Sequence, residues 1–184
     1  MKIKSYHIFE KGVTIYLTNN TSHYIQFNQL SGKIICRKKG NTILGVDHTG
    51  IYFGKDSSGV EWVIHNHIMN KKTVAEPIYN FSNGQEVYEY QEVKPTNNWR
   101  TIIEEGLKFI IAGEPYTALF NNCQHVVTKA ATTKSYSPDL TKIGGTVMLA
   151  GSTALLSKSK TVRKIGYATM FIGGGIALYN ALNR

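Results

Sequence analysis

The residues best suited to covalent chemistry in this chain are Cys123 and the histidines that precede it. Asn121 and Asn122 are good N-cap residues, and no Gly or Pro occurs from Gln124 to position 131, so we predict a helix that begins at or beside the cysteine. N–H groups at the start of a helix favour the thiolate and lower the pKa of a cysteine below its free value of about 8.5. The stretch therefore predicts a nucleophilic thiol.

A base for that thiol must come from elsewhere in the chain, and His48, His65 and His67 lie together in one β-like region before the predicted helix. His65 and His67 would lie on the same face of a strand, so the alternation of side chains does not separate them. Two other interpretations stay open at this point. Cys123 could be a buried hydrophobic residue beside an ordinary histidine, or part of a zinc site, although a fourth ligand at short spacing is missing.

Three further side chains bear on the site. Tyr52 and Tyr116 are candidate accessory groups because each could present a hydroxyl near the thiol, although packing is the more common role of tyrosine. Cys36 lies in an apolar run without a partner motif, which indicates a structural thiol. We expect no metal and no cofactor, and two cysteines do not make a disulfide framework.

Alternating apolar and polar residues predict that β-strands position the histidines. The turn at 54–59 should fold the His48 strand back on the His65 strand, so that both histidines approach one point above a sheet. Residues 71–98 are polar and turn-rich, and we expect exposed loops there around one short strand. Strands are predicted at 13–18, 22–28, 33–39, 43–53, 60–68, 87–93 and 116–120, and a helix capped by Asn98 is predicted at 99–111.

The C-terminal residues differ from the rest of the chain in charge and hydropathy. One acidic residue, Asp139, and six basic residues lie in 137–184, which holds +5 of the formal net charge of +9. Two uncharged runs, 143–157 and 165–182, flank a basic cluster at 158–164. The second run has 18 residues, which is just long enough to cross a bilayer core of about 30 Å at about 1.5 Å per residue.

The basic cluster decides which membrane topology the sequence favours. If both runs crossed, the cluster would end on the side away from the folded domain, against the positive-inside tendency. We therefore expect a single anchor at about 165–182, with 143–157 in the interface or packed on the domain. Soluble helices that close a hydrophobic groove are the alternative. The chain starts with polar residues and lacks the pattern of a signal peptide, so we expect the domain at the cytoplasmic face of a membrane.

Three motifs follow one another along the chain: Asp47-His48-Thr49-Gly50-Ile51-Tyr52-Phe53-Gly54, Trp62-Val63-Ile64-His65 and Asn122-Cys123-Gln124-His125-Val126-Val127. In this order they resemble the lecithin retinol acyltransferase family, including its phospholipase A/acyltransferase branch. That family has a histidine that opens one strand, a second that ends the next strand, and an Asn-Cys-Glu-His box. The likeness covers about residues 43–131 and departs from the family pattern at Thr49, where Trp is usual, and at Gln124, where Glu is usual.

This resemblance implies an α+β fold with a circularly permuted papain-like domain, in which an antiparallel sheet precedes the cysteine-bearing helix and an apolar helical tail follows. It implies that Cys123 is the nucleophile and His48 the general base, and that His65, which directly follows Trp62-Val63-Ile64, orients His48. His67 remains the alternate third member. The corresponding division of the chain is a β-rich extension at 1–40, a catalytic core at 41–136 and a basic, membrane-associating tail at 137–184.

The resulting hypothesis is a membrane-associated thiol acyltransferase or phospholipase A that acts on glycerophospholipid esters through an acyl-cysteine. Its partners would be a phospholipid membrane, which supplies the acyl donor, and an acceptor that the sequence does not identify. A cysteine amidase or peptidase of the same fold is one alternative, and a non-catalytic membrane-interaction protein is another. Nucleic acid is not expected, because aromatic and basic residues do not interleave as in a recognised binding module.

Overall fold

The computed structural model describes residues 3–38, 47–67, 70–115, 117 and 122–183. Within these residues the chain forms eight strands in one antiparallel sheet and five helices. The expected α+β class, with the sheet before the cysteine helix and an apolar helix at the C-terminal end, is confirmed; the circularly permuted papain-like arrangement stays a prediction. The elements are β1 (Ile3–Ile8), β2 (Gly12–Leu17), β3 (Ser22–Gln26), β4 (Ile34–Arg37), β5 (His48–Asp56), β6 (Glu61–His67), β7 (Lys72–Pro77), α1 (Ile78–Ser82), β8 (Val87–Glu89), α2 (Trp99–Ala112), α3 (Cys123–Thr132), α4 (Pro138–Ala154) and α5 (Lys160–Leu182).

Strand β5 is the centre of the sheet. β6 pairs along one edge of β5 and β7 pairs with β6, while β4 and β3 share the other edge of β5 at its two ends. This pairing places Arg37 opposite His48 and Gly50 opposite His65. Strands β1 and β2 continue the sheet beyond β3, so the strands of the N-terminal extension belong to the same sheet as the histidines.

Apolar side chains cover both faces of this sheet. Helices α2 and α3 pack on one face over the main core, and the short helix α1 packs on the face that carries His48 and His65. Burial of one such side chain contributes about 1.5–3 kcal/mol, so the main core holds the sheet and the cysteine helix together. The main cluster includes Ile51, Phe53, Ile64, Ile103, Leu107 and Val127, and the smaller cluster consists of Ile35, Tyr52, Val63 and Phe81.

Most of the elements expected from the sequence are present. The predicted hairpin at 13–28 is formed by β2 and β3, and the hairpin that carries the histidines is formed by β5 and β6. The expectation for 71–98 was wrong in part, because β7 and α1 lie within this range, and the strand expected at 87–93 is limited to β8. β7 ends at a proline, and α1 begins without a capping side chain, so neither element has the usual sequence signals. The expected strand at 116–120 lies almost entirely outside the described residues.

Helix α2 shows how local sequence fixes one of these elements. The Asn98 side chain accepts a hydrogen bond from the N–H of Thr101 at 3.0 Å, and Gly113 ends the helix in the left-handed conformation. We expect Asn98→Ala to lower the free energy of unfolding by about 1 kcal/mol, because one N–H group of the first turn loses its acceptor. Urea denaturation would measure the loss, and the exposed Gln29→Ala should change stability by less than about 0.5 kcal/mol.

Helices α4 and α5 form an antiparallel hairpin after the domain. Gly144 of α4 faces Gly173 of α5, and Gly151 faces Gly166, so glycines line the seam between the two helices. The run at 143–157 therefore lies mostly in α4 and packs along α5. Among the described residues, α5 is the one helix that is long and apolar enough to cross a membrane by length and composition.

Candidate functional site

The thiol lies at the first residue of its helix, where the sequence predicted it. The Asn122 side chain caps α3 by accepting from the N–H groups of Gln124, at 2.9 Å, and His125, at 3.1 Å. The Sγ atom of Cys123 lies 3.7 Å from the carbonyl oxygen of Asp47, and the side chain is 5% exposed. Because Asp47 directly precedes the first residue of β5, this contact holds the thiol at the start of the histidine-bearing strand.

A line of three side chains begins at His48 and crosses three neighbouring strands. His48 Nε2 lies 2.9 Å from His65 Nδ1, and His65 Nε2 lies 2.7 Å from Glu76 Oε1. The two imidazole rings are perpendicular, and both side chains are buried. The three residues come from β5, β6 and β7, so adjacent strands of one antiparallel sheet assemble the whole line.

The carboxylate at the end of this line determines which ring nitrogens carry protons. An ionised carboxylate only accepts hydrogen bonds, so His65 Nε2 must be the donor to Glu76. In a neutral imidazole the other nitrogen is then an acceptor, and His48 Nε2 donates to His65 Nδ1. By the same rule His48 Nδ1 is an acceptor. Glu76 therefore sets His48 in the tautomer that can take a proton from a thiol.

The electrostatics of the line agree with this assignment. Burial lowers the pKa of His65, although its hydrogen bond to Glu76 opposes the shift. Burial alone would raise the pKa of Glu76, but the hydrogen bond from His65 brings it below its ordinary value. At neutral pH the pair is therefore a neutral imidazole against an ionised carboxylate, which is the state that the tautomer argument requires.

Helix α1 covers the two histidines. The ring of Phe81 stacks on His48 with centroids 5.2 Å apart and meets His65 edge-on at the same distance. Gly50 makes room for this contact, since a Cβ there would lie 2.6 Å from Val63 Cγ1 and 3.1 Å from Phe81 Cε2. The aromatic cover keeps water away from the hydrogen bonds and strengthens them.

The two thiols of the chain have different surroundings. Cys36 is fully buried, and burial raises its pKa to about 11, in agreement with the structural role expected from the sequence. Arg37 interacts electrostatically with Cys123: burial lowers the pKa of the Arg37 guanidinium, and interactions with Cys123 and Glu76 oppose that shift. Arg37 is fixed by donating through Nε to the Phe81 carbonyl at 2.5 Å. A positive charge at this position favours the thiolate of Cys123.

A hydrogen-bond network joins Gln124 to the start of α4. The Gln124 amide nitrogen donates to the Asp139 carboxylate and to the Tyr90 hydroxyl, and its oxygen accepts from Ser137 Oγ at 2.5 Å. The Asp139 carboxylate also accepts from the N–H of Asp47 at 3.0 Å. A glutamate at 124, which is usual in the family that the chain resembles, would place a second carboxylate against Asp139. Glutamine avoids this repulsion, because its amide nitrogen can donate a hydrogen bond to the Asp139 carboxylate.

The other candidates from the sequence are placed as follows. His65, rather than His67, lies within hydrogen-bond distance of His48; His67 is half-buried and accepts from the N–H of Asn70 through Nδ1 at 3.1 Å. The Tyr52 hydroxyl donates to Glu61 and accepts from Asn28, and burial raises its pKa to about 12. Tyr116 and Asn121 lie outside the described residues.

Sequence reasoning missed Glu76, Arg37 and Phe81. The expectation of loops at 71–98 gives Glu76 no role, yet an acidic residue in a short alternating stretch after two histidine strands is a usable signal. Arg37 could have been found from the basic end of the third predicted strand. Nothing in the sequence marks Phe81, because its contact with the histidines depends on how α1 folds over the sheet.

No cluster of three or more His, Cys, Asp or Glu side chains suited to a metal ion occurs among the described residues. Comparisons with protein-family models and with curated proteins return no match to this chain. The fold and site define an α+β domain in which a thiol at a helix start contacts the residue before a histidine–histidine–glutamate line, followed by an apolar helical hairpin.

Burial of His125 gives the protein a pH dependence that can be measured. Burial lowers the pKa of His125 to about 4, against an ordinary value of 6.5. As pH falls from 6.5 to 4, the unfolded chain binds a proton at this position that the folded chain does not, so stability falls with falling pH. One such proton contributes at most about 1.4 kcal/mol per pH unit. We expect His125→Asn to flatten the dependence of the unfolding free energy on pH in this window, and the exposed His7→Asn to leave it unchanged.

Proposed function

We propose that this protein is a membrane-associated thiol acyltransferase or phospholipase A that forms an acyl-cysteine from glycerophospholipid esters. The observation that carries the proposal is the ordered line from Glu76 through His65 to His48, which ends beside the residue that contacts the Cys123 thiol. A nucleophile, a base and a group that orients the base are the parts that thiol acyl transfer requires. In this proposal the domain has the circularly permuted papain-like arrangement that the sequence resemblance implies.

In the first step His48 Nδ1 takes the proton of the Cys123 thiol. The sulfur attacks the ester carbonyl carbon, so an S–C bond forms and the carbonyl oxygen becomes an oxyanion. Asn122 already accepts from the N–H groups of Gln124 and His125, and we place the oxyanion at the N–H of Cys123. The imidazolium formed at His48 and the Arg37 guanidinium would offset the negative charge that develops in this step.

Collapse of the tetrahedral intermediate completes the acyl-cysteine. The C–O bond of the ester breaks, and His48 gives its proton to the leaving oxygen of the lysophospholipid. His48 is then neutral again and can take a proton from water or from another acceptor that attacks the thioester. Attack by water releases a fatty acid and restores the thiol, whereas attack by an amine or hydroxyl transfers the acyl chain to that group.

Lipid is the proposed substrate because an apolar helical hairpin follows the domain and is hydrogen-bonded to it near the thiol helix. Ser137 binds Gln124 through its hydroxyl and Asn180 through its N–H, and Asn180 lies at the end of α5. A membrane attachment so close to the site raises the local concentration of ester around the thiol. Two free cysteines are typical of a reducing compartment, and we place the domain on the cytoplasmic side of the membrane.

The test is intact-protein mass spectrometry after the chain is mixed with phospholipid vesicles at neutral pH. We expect a fatty-acyl mass increment on the native chain and none on Cys123→Ala, which lacks the nucleophile. His48→Ala should also form no adduct, because the thiol loses its base. Cys36 is the internal control, since a buried thiol with a raised pKa should not be acylated.

The absence of both an adduct and free fatty acid would refute the lipid substrate. If an electrophilic probe still labelled Cys123 quickly in that case, Cys123 would remain a nucleophile, and amides and peptides would be the next substrates to test. Labelling as slow as that of Cys36 would instead contradict a catalytic thiol, and the hairpin would be the part of the protein that acts.

A further inference from the structure

The hairpin of α4 and α5 has its large apolar side chains on the outside. In a pair of soluble helices such side chains line the shared seam and polar residues face water. Here the buried positions of the seam are glycines, while Phe171 is 73% exposed and Leu149 is 64% exposed. The outward-facing apolar residues on both helices include Leu149, Ile165, Phe171, Ile172, Leu178 and Leu182, and Leu156 of the turn is also exposed.

The glycine seam brings the two backbones into direct contact. A Cβ at Gly144 would lie 2.7 Å from the nitrogen of Ala177, and a Cβ at Gly151 would lie 2.5 Å from the nitrogen of Met170. Small residues that allow such close approach are the usual basis of helix pairing in lipid, where apolar side chains gain nothing by leaving the solvent. The seam therefore holds the pair together without using its apolar side chains.

Four hydroxyl groups of the hairpin donate hydrogen bonds within their own helices. Thr146, Ser152 and Thr153 of α4 each donate to a backbone carbonyl three or four residues earlier, and Thr169 of α5 donates to the carbonyl of Ile165. In the hydrocarbon of a bilayer a polar group without a partner costs several kcal/mol. These internal hydrogen bonds make the hydroxyls compatible with lipid on all sides.

Both ends of the hairpin are held at the domain. The N–H of Ser137, just before α4, donates to Asn180 Oδ1 at 2.7 Å, and the Asn180 amide donates to the Ile176 carbonyl. Asn180 is 1% exposed. A single anchor would keep the first residues of α5 at the domain and place its last residues across the membrane. That arrangement would break the contact between Ser137 and Asn180 and separate the two helices at the glycine seam.

We propose that α4 and α5 enter the hydrocarbon core of an anionic lipid bilayer together, with the turn at 155–159 leading and both ends of the hairpin on the side of the domain. The inference rests on the membrane association proposed above but not on the acyl-transfer chemistry. It replaces the single anchor at 165–182 that the sequence favours. The sequence shows the order of the charges, but it does not show that the two helices pair with each other.

A crossing hairpin places its basic residues on the far side, against the positive-inside tendency, and anionic lipid on that side offsets this cost. Basic residues cluster around the turn, where anionic headgroups of the far leaflet would attract each one by about 1 kcal/mol. The uncharged part of α4, 143–154, spans about 18 Å and the run 165–182 of α5 about 27 Å, so lysine side chains at the turn must extend to reach the headgroups. The cluster consists of Lys158, Lys160, Arg163 and Lys164.

Single cysteines can test this topology in the Cys123→Ala chain, where Cys36 is buried and unreactive. Lys134→Cys reports the domain side, Thr161→Cys the start of α5 next to the turn between the helices, and Asn183→Cys the end of α5. Each purified protein is bound to sealed vesicles of phosphatidylcholine and phosphatidylglycerol and treated from outside with a membrane-impermeant maleimide. Flotation with the vesicles confirms binding, and the parent Cys123→Ala chain gives the background.

We expect Lys134→Cys and Asn183→Cys to be labelled at once, and Thr161→Cys to be protected until detergent is added. A single anchor gives the reverse for the last two: Thr161→Cys open and Asn183→Cys protected. Labelling of all three without detergent would mean that the hairpin lies on the surface, and failure to float would mean that another copy or a different partner covers it. Each of these three results overturns the proposal. None of them depends on lipid turnover, so loss of the acyl-cysteine in the mass spectrometry test leaves this result standing.

Discussion

Replacement of Glu76 by glutamine is expected to lower the rate of acyl-cysteine formation by about 10²- to 10⁴-fold while KM changes little. A glutamine amide can donate to His65 Nε2, which would make that nitrogen the acceptor and place the proton of His65 on Nδ1. His48 Nε2 would then accept from His65, and its proton would move to Nδ1. The thiol would face a donor in place of a base, although every side chain keeps nearly the same shape.

Two variants separate this effect from a general loss of stability. Glu76→Asp keeps the charge and should retain more activity than Glu76→Gln, and Glu61→Gln removes a carboxylate of the same sheet that binds Tyr52 rather than the histidines. The alkylation rate of Cys123 as a function of pH gives a readout without lipid. Glu76→Gln should remove the reactive thiolate component near neutral pH. If its profile matched that of Glu61→Gln, Glu76 would not be a positioning residue.

Substitution of Gly173 by leucine is expected to separate α4 from α5. A Cβ at Gly173 overlaps the backbone nitrogen of Met148 and lies 2.6 Å from the Gly144 carbonyl oxygen, and neither backbone atom can move aside cheaply. We expect amide hydrogen exchange in the second half of α4 to become at least about tenfold faster in lipid, which corresponds to about 1.4 kcal/mol.

The same helix offers a matched control for this substitution. A Cβ at Gly175 has nothing within 4 Å, so Gly175→Leu adds the same side chain on the outer face of α5. Its exchange should remain as in the native chain or slow slightly, because a residue other than glycine favours the helix. Equal exchange in the Gly173 and Gly175 variants would show that the glycine seam does not hold the hairpin together.

The parts of the fold that the sequence predicts well are those with strong local signals. Asn98 and Gly113 mark the two ends of α2, and Asn122 marks the start of α3, because capping chemistry is read within a few residues. β7 and α1 are not predicted, because they lack such local signals. Their few residues form elements only because β6 offers a free edge and the histidine face offers an apolar surface.

The residues of the candidate site also differ in how well the sequence predicts them. Residue type marks Cys123 and a group of histidines, and the resemblance to a known family favours His48 and His65 among them. In the structure His65, rather than His67, lies 2.9 Å from His48. The partner of His65 could not be read from alternation, since pairing of β6 with β7 decides which acidic side chain reaches it. The topology of the tail depends likewise on pairing, because only the folded chain shows that Asn180 returns to Ser137.

The placement of the site along the chain also has a consequence for the order of folding. His48, His65 and Glu76 are joined across 17 and 11 residues by a β-meander, whereas Cys123 meets Asp47 across 76 residues. Closure of a longer loop costs more entropy, so the meander can form before α3 docks on it. Under the proposed function, a nascent or partly folded chain therefore carries an ordinary thiol, and we expect a reactive cysteine only in the completed domain.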